Sequence, residues 1–195
     1  MSENLNNNST PSASQIQAEL KRIRSKREYG KMLRGTIFTL VAVAAVAVLI
    51  SVLFLPVLRV TGSSMESTLY GDDLVVCRKG SDFETGDIVA FYFNNKILLK
   101  RVIGVSGDVI NITEDGTVSV NGKELDEPYL KEKAFGECDI EMPYQVPENR
   151  IFVMGDNRST SIDSRSSVVG CIADEYIVGK VIFRAWPFER LGFIK

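Results

Sequence analysis

The alternation of apolar and polar positions divides this chain into a soluble tail, one long apolar run and a region of short strands. Residues 1 to 16, MSENLNNNSTPSASQI, are rich in Asn and Ser with almost nothing to bury, which predicts a disordered tail. A basic stretch, QAELKRIRSKREYGKMLR, completes the segment 1–34. GTIFTLVAVAAVAVLISVLFLPVL then runs from Gly35 to Leu58 without a charge. At a helical rise of 1.5 Å per residue it reaches roughly 35 Å, enough to cross a hydrocarbon core about 30 Å thick with some tilt. A buried core helix and a cleavable signal peptide are the other readings of such a run. A signal peptide has an apolar region of roughly 7 to 15 residues followed by a small-residue cleavage site. This run is longer and ends in FLPVLRV, so it reads as a permanent anchor over 35–58.

After the anchor the pattern changes period. VVCRK, DIVAFYF, KILLKRVIGV, VINI, TVSV, IFVM and YIVGKVIFRAW are short, rich in β-branched and aromatic residues, and bounded by Gly, Asp and Asn. Gly-Asp launches three of them, in GDDLVV, GDIVAF and GDVINI. FNNK at 93–96 and EDGT at 114–117 predict hairpins. Residues 59–195 therefore read as a mainly β domain, a barrel or sandwich. Within it, about 109–149 forms an inserted subdomain whose stretch from about 121 is more polar and less regular.

Flanking charge orients the anchor. Lys21, Arg22, Arg24, Lys26, Arg27, Lys31 and Arg34 precede it, whereas Arg59 stands alone for many positions after it. The positive-inside rule then places the N-terminus in the cytoplasm and residues 59–195 outside, as a single-pass plasma-membrane protein in contact with lipid. The net charge of −2 and pI near 5.4 lack the basic footprint of a nucleic-acid binder. Three cysteines, Cys77, Cys138 and Cys171, are too scattered for a disulfide framework or a zinc site. There is no histidine, which excludes histidine triads and argues against a catalytic metal. No cofactor is expected.

Just beyond the anchor lies TGSSMESTL, residues 61–69. A serine there reads as a nucleophile only if a base is available, and the types left are Asp, Glu or a lysine whose pKa is depressed. An exposed lysine is protonated near neutrality, but apolar burial disfavours the charged form and can lower its pKa by several units. Lys100, in KILLKRVIGV, has apolar neighbours on both sides, and alternation puts it on the face of Leu98 and Val102, opposite Leu99 and Arg101. Taken by itself, a lysine in an apolar strand is more often a strand-edge residue with its ammonium in water. A third stretch, MGDNRSTSIDSR at 154–165, packs aspartates, arginines and hydroxyls behind an apolar strand. It is either a solvated loop or a cluster in which a hydroxyl orients an amine and an Asp/Arg pair braces the turn.

SSMESTL, LLKRVIGVSGD and GDNRSTSIDSR, in that order behind an N-terminal anchor, resemble the type I signal peptidases, in the form found in Gram-positive bacteria. The resemblance extends from about Gly35 to the C-terminus, including GKVIFRAWPF. It implies a mainly β fold, an antiparallel barrel or sheet with a small β insertion, and a Ser-Lys dyad with Ser64 as nucleophile and Lys100 as general base. By the same resemblance Ser161 orients the lysine amine. Asp163 and Arg165 form a bracing ion pair, and Asp156 and Arg158 are further structural members. Val60, Met65, Leu69, Leu98 and Leu99 align with positions that line pockets for small side chains. The implied substrates are exported preproteins cut after Ala-x-Ala.

The chain departs from that pattern in places. Gly62 stands where some members carry a serine whose hydroxyl helps to bind the oxyanion, so the second donor is unassigned. Ser67 replaces the usual proline, which gives up a fixed φ and loosens the turn. Two other readings compete. A self-cleaving Ser-Lys protease of the repressor type would carry a DNA-binding module in front, where this chain has an anchor. An inactive membrane-anchored β module would have lost the nucleophile or the base, yet Ser64 and Lys100 are both present.

Overall fold

The computed structural model describes residues 12–80 and 82–194 of the chain. It opens with one helix, α1, Ala13–Phe54. Its start is set by a capping box: the Gln15 amide donates to Ser12 Oγ at 3.4 Å, and the Ser12 amide donates to Gln15 Oε1 at 3.0 Å. Its end is set by Pro56, which disfavours helical geometry at Leu55. The expected tail through residue 16 lies mostly outside the described residues, and from Ala13 onward the chain is helical. The basic stretch is thus one element with the apolar run, because its Ala, Gln, Glu, Lys and Arg residues are good helix formers. Exposed Arg22–Glu19 and Arg24–Glu28 pairs lie along it. Thr36 and Thr39 return their hydroxyls to the carbonyls of Met32 and Gly35, which satisfies them inside the helix. The helix is long and apolar enough to cross a membrane.

The remaining elements are strands: β1 Val57–Arg59, β2 Leu74–Arg78, β3 Ile88–Phe93, β4 Lys96–Gly104, β5 Val109–Ile112, β6 Val118–Val120, β7 Lys123–Glu124, β8 Tyr144–Gln145, β9 Arg150–Met154, β10 Ile172–Ala173, β11 Ile177–Trp186 and β12 Gly192–Phe193. One eight-stranded sheet runs in the order β1-β2-β11-β3-β4-β9-β10, with β12 on β11, and a four-stranded sheet runs β7-β6-β5-β8. All the pairings are antiparallel. The barrel alternative is not realised. Among the described residues β1 pairs only with β2 and β10 only with β9, so the main sheet keeps two edges and stays open.

Period-two alternation explains how this sheet is buried on both faces. Ile88 and Ala90 of β3 face one apolar cluster with Val60, Met65, Leu69, Val75, Cys77 and Val181. Val89 and Phe91 face another with Val102, Ile151, Val153 and Ile172. Phe152 and Met154 of β9 join Ile103 in a third cluster against Ile110, Ile112 and Val118 of the smaller sheet. Both expected hairpins form. Asn94 and Asn95, at φ 45° and 61°, turn β3 into β4. Gly116, at φ 84°, sits in the turn from β5 to β6.

One consequence of the register positions the site. β9 pairs with β4 only from Arg101 to Gly104, so the first half of β4, Lys96–Lys100, has a free edge. β1 has a free edge as well.

Candidate active site

β1 delivers the chain into the turn that carries Ser64. Gly62 takes φ +88°, a left-handed conformation that disfavours a side chain. The amides of Glu66, Thr68 and Leu69 then bond back to the carbonyls of Ser63, Met65 and Met65. Met65 and Leu69 are buried in the core cluster and anchor one side of the turn, while Ser64 stays half-buried at the surface. The Ser64 carbonyl accepts the Asn157 amide at 3.0 Å. Its own amide donates to no protein acceptor among the described residues.

Lys100 sits on β4 opposite Val89 and is only 3% exposed. Its Nζ donates to Ser161 Oγ at 2.8 Å. Gly155 fits between this pair and the serine turn. A Cβ on it would fall 2.3 Å from Ser161 Oγ and 2.5 Å from the Ser64 carbonyl oxygen. Ser161, which holds Lys100, and the backbone of Ser64 thus meet at a residue that must be glycine. A cleft of about 370 Å³ opens beside Ser64, walled by Leu58–Gly62 and Met65 on one side and by Lys96–Leu99 on the other.

The description "Signal peptidase, peptidase S26" belongs to the family model that matches residues 32–186. Signal peptidase I of Bacillus amyloliquefaciens is 34% identical over 163 residues, 78% of this chain and 86% of that one. Signal peptidase I of Bacillus caldolyticus is 41% identical over 151 residues, 69% of this chain and 81% of that one. Signal peptidase IB of Staphylococcus aureus is 36% identical over 154 residues, 69% and 79% of the two chains. The chain belongs to the signal peptidase family, peptidase S26.

Behind the lysine, this peptidase buries three arginine–carboxylate pairs. Arg165 holds Asp163 through Nε at 2.8 Å and Nη2 at 2.9 Å, and both side chains are fully buried. The remaining donors of Arg165 reach the carbonyls of Arg158, Ser161, Ala134 and Phe135. Asp163 in turn accepts the Gly155 amide at 2.9 Å. The pair therefore fixes the carbonyl of Ser161 and the backbone of Gly155 together.

Sequence reasoning placed Asp156 and Arg158 in the same cluster, and they are there, but their partners come from elsewhere. Asp156 is held at both oxygens by Arg101, at 2.9 and 2.8 Å, and accepts the Thr68 hydroxyl. Arg158 pairs with Glu127 from the inserted segment. Tyr129 stacks on Arg101, with the guanidinium 3.8 Å from the ring centroid. Arg101 was legible only as the neighbour of Lys100 on the opposite strand face. Glu127 and Tyr129 carried no signal, since their roles depend on folding the insertion over the turn.

Two further expectations need correction. Leu69 does not line the cleft; it lies in the core beneath the turn, because the amide of Leu69 closes a helical turn on Met65 and points the side chain inward. Val60, Met65, Leu98 and Leu99 do line it. Nor is the turn loosened at Ser67. The Ser67 hydroxyl donates to the Tyr129 carbonyl and ties the turn to the insertion.

Burial pushes the Lys100 amine down to about 8, with Asp163 opposing the shift, Arg165 assisting it and Asp156 opposing it. An unfolded lysine titrates near 10.4, so the unfolded chain binds more protons between these values. Folding therefore carries a penalty that is full below about pH 8 and is lost as pH rises toward 10.4, worth up to about 3 kcal/mol. Lys100→Met should make the peptidase more stable at pH 7, with the advantage over the parent shrinking between pH 8 and 10. Denaturant unfolding of both proteins in the same detergent checks this, and a pH-independent difference would contradict a buried neutral amine. Gly155→Ala should lower activity by more than about 100-fold, since roughly 1 Å of displacement between reacting groups costs that much. Turnover normalised to folded protein is the readout, and near-parental turnover would show that Ser64 and Ser161 need not meet there.

Proposed function

We propose that the chain is a membrane-anchored serine endopeptidase that removes signal peptides from exported preproteins with a Ser64–Lys100 dyad. The observation that carries this reading is the buried Lys100 amine, hydrogen-bonded to Ser161 behind the Ser64 turn. In a chain without histidine, it is a base that can be neutral near pH 8.

Ser64 Oγ attacks the scissile carbonyl as Lys100 takes its proton, and the oxyanion forms against the free Ser64 amide. The C–N bond then breaks, the protonated lysine gives its proton to the leaving amine, and the signal segment remains as an ester on Ser64. Water, deprotonated by the same lysine, hydrolyses that ester and restores the serine. Ser161 acts on the lysine: its hydroxyl accepts one N–H and aims the amine's lone pair.

Substrate recognition follows from the two free edges. An extended segment between β1 and the first half of β4 can bond to both backbones, as an added strand does. Its side chains would meet Val60, Met65, Leu98 and Leu99. Large apolar groups at these positions would crowd out bulky side chains, which suits the small residues of an Ala-x-Ala site. The basic residues before the span support a cytoplasmic N-terminus and an extracytoplasmic peptidase domain in the plasma membrane. Only Leu55–Ser63 separates the end of α1 from the nucleophile, which favours substrates presented at the bilayer face.

The test is cleavage of a preprotein carrying an Ala-x-Ala site by the detergent-solubilised full chain. The parent should cut after the second alanine, and Ser64→Ala and Lys100→Met should each lose at least about 10³-fold while remaining folded. Below about pH 8 the rate should fall tenfold per unit as Lys100 becomes protonated, and above it the rate should level off. A folded parent that cuts nothing, or a rate flat from pH 6 to 10, would sink the assignment.

A further inference from the structure

A second cavity, of about 230 Å³, is lined by Glu66, Asn157 and Ser159 together with Lys131 and Glu132 of the inserted segment. It lies beside the Ser64 turn, as the first cleft does, because Asp156 and Asn157, just after β9, both bond to that turn. The Ser64 turn divides the two. Ser64 and Met65 face the first cleft, Glu66 faces the second cavity, and Asn157 at its wall donates its amide to the Ser64 carbonyl. A polypeptide lying in the first cleft with its scissile bond at Ser64 can reach this cavity with the residues that follow the bond, each adding about 3.3 Å.

The charges around the cavity are uneven. Asp156 and Arg158 are neutralised by Arg101 and Glu127. Glu66 and Glu132 have no ion-pair partner among the described residues. Lys131 leans over the Tyr70 ring, 5.8 Å from its centroid, and offsets only one of them. We infer that this cavity receives the first residues of the mature chain, and that Glu66 and Glu132 make it favour basic over acidic side chains there. The inference rests on the signal-peptide reading of Ser64 and deepens it, by giving the enzyme a preference on the side of the bond that leaves.

Three preproteins with one Ala-x-Ala segment, and with the second and third residues after the bond both Lys, both Gln or both Glu, test it with the full-length protein in detergent. At low salt the parent should show kcat/KM about fivefold higher for the Lys form than for the Glu form, a ratio that falls as salt screens the charges. Glu66→Gln and Glu132→Gln should each reduce the ratio to about twofold, whereas Lys131→Gln should raise it. Because each ratio is taken within one variant, a general loss of turnover cancels. Glu132, on an exposed loop, gives a variant that leaves the Ser64 turn untouched. Ratios unchanged across all of these variants, with cleavage intact, would overturn the subsite and leave the peptidase assignment standing. If the folded parent cuts none of the three and is indistinguishable from Ser64→Ala, both fall.

Discussion

The hydrogen bond from the Lys100 amine to Ser161, made where water is largely excluded, is the constraint around which the domain is arranged. An amine in solution is protonated and points wherever its flexible stem allows. Here the strand removes the solvent that would hold the proton, and a single hydroxyl at 2.8 Å limits the direction of the lone pair. Ser161 can do this only if its own backbone is held. That is the task of Arg165, whose guanidinium reaches the Ser161 carbonyl while gripping Asp163. A fully buried ion pair contributes little net stability, because desolvation offsets its attraction. Its value here is geometric, since a planar fork with every donor engaged leaves the loop one conformation.

The same neighbourhood poses an electrostatic problem. Asp156 and Asp163 both favour the protonated form of Lys100, against the effect of its burial. Each carboxylate is matched by its own arginine, Arg101 for Asp156 and Arg165 for Asp163. With the charges balanced in pairs, burial is left as the largest influence on the lysine. The serine turn is held by the same pairs, because Thr68 donates to Asp156 and Arg101 donates to Thr68.

The inserted segment belongs to this arrangement as well. Glu127 neutralises Arg158, Tyr129 stacks on Arg101 and accepts from Ser67, and the carbonyls of Ala134 and Phe135 receive Arg165. The segment is therefore a wall of the site, and Ser67 serves as one of its fastenings.

Much of this could be read without coordinates, for reasons that are local. The apolar run, the strands, the Asn-Asn turn and the absence of histidine depend on residue type and short-range period, so sequence alone determined the mainly β domain, the long apolar helix and the exclusion of a histidine triad. What tertiary structure decided was partnership. Alternation placed Arg101 on the face opposite Lys100 but could not say that it would meet Asp156, and nothing near Glu127 or Tyr129 announced a partner. Leu69 has the same apolar character as Leu98, yet one lies beneath the turn and the other in the cleft wall. Whether a side chain is buried, paired or open to substrate depends on segments distant in sequence coming together, and hydrophobic period carries no information about which segments those are.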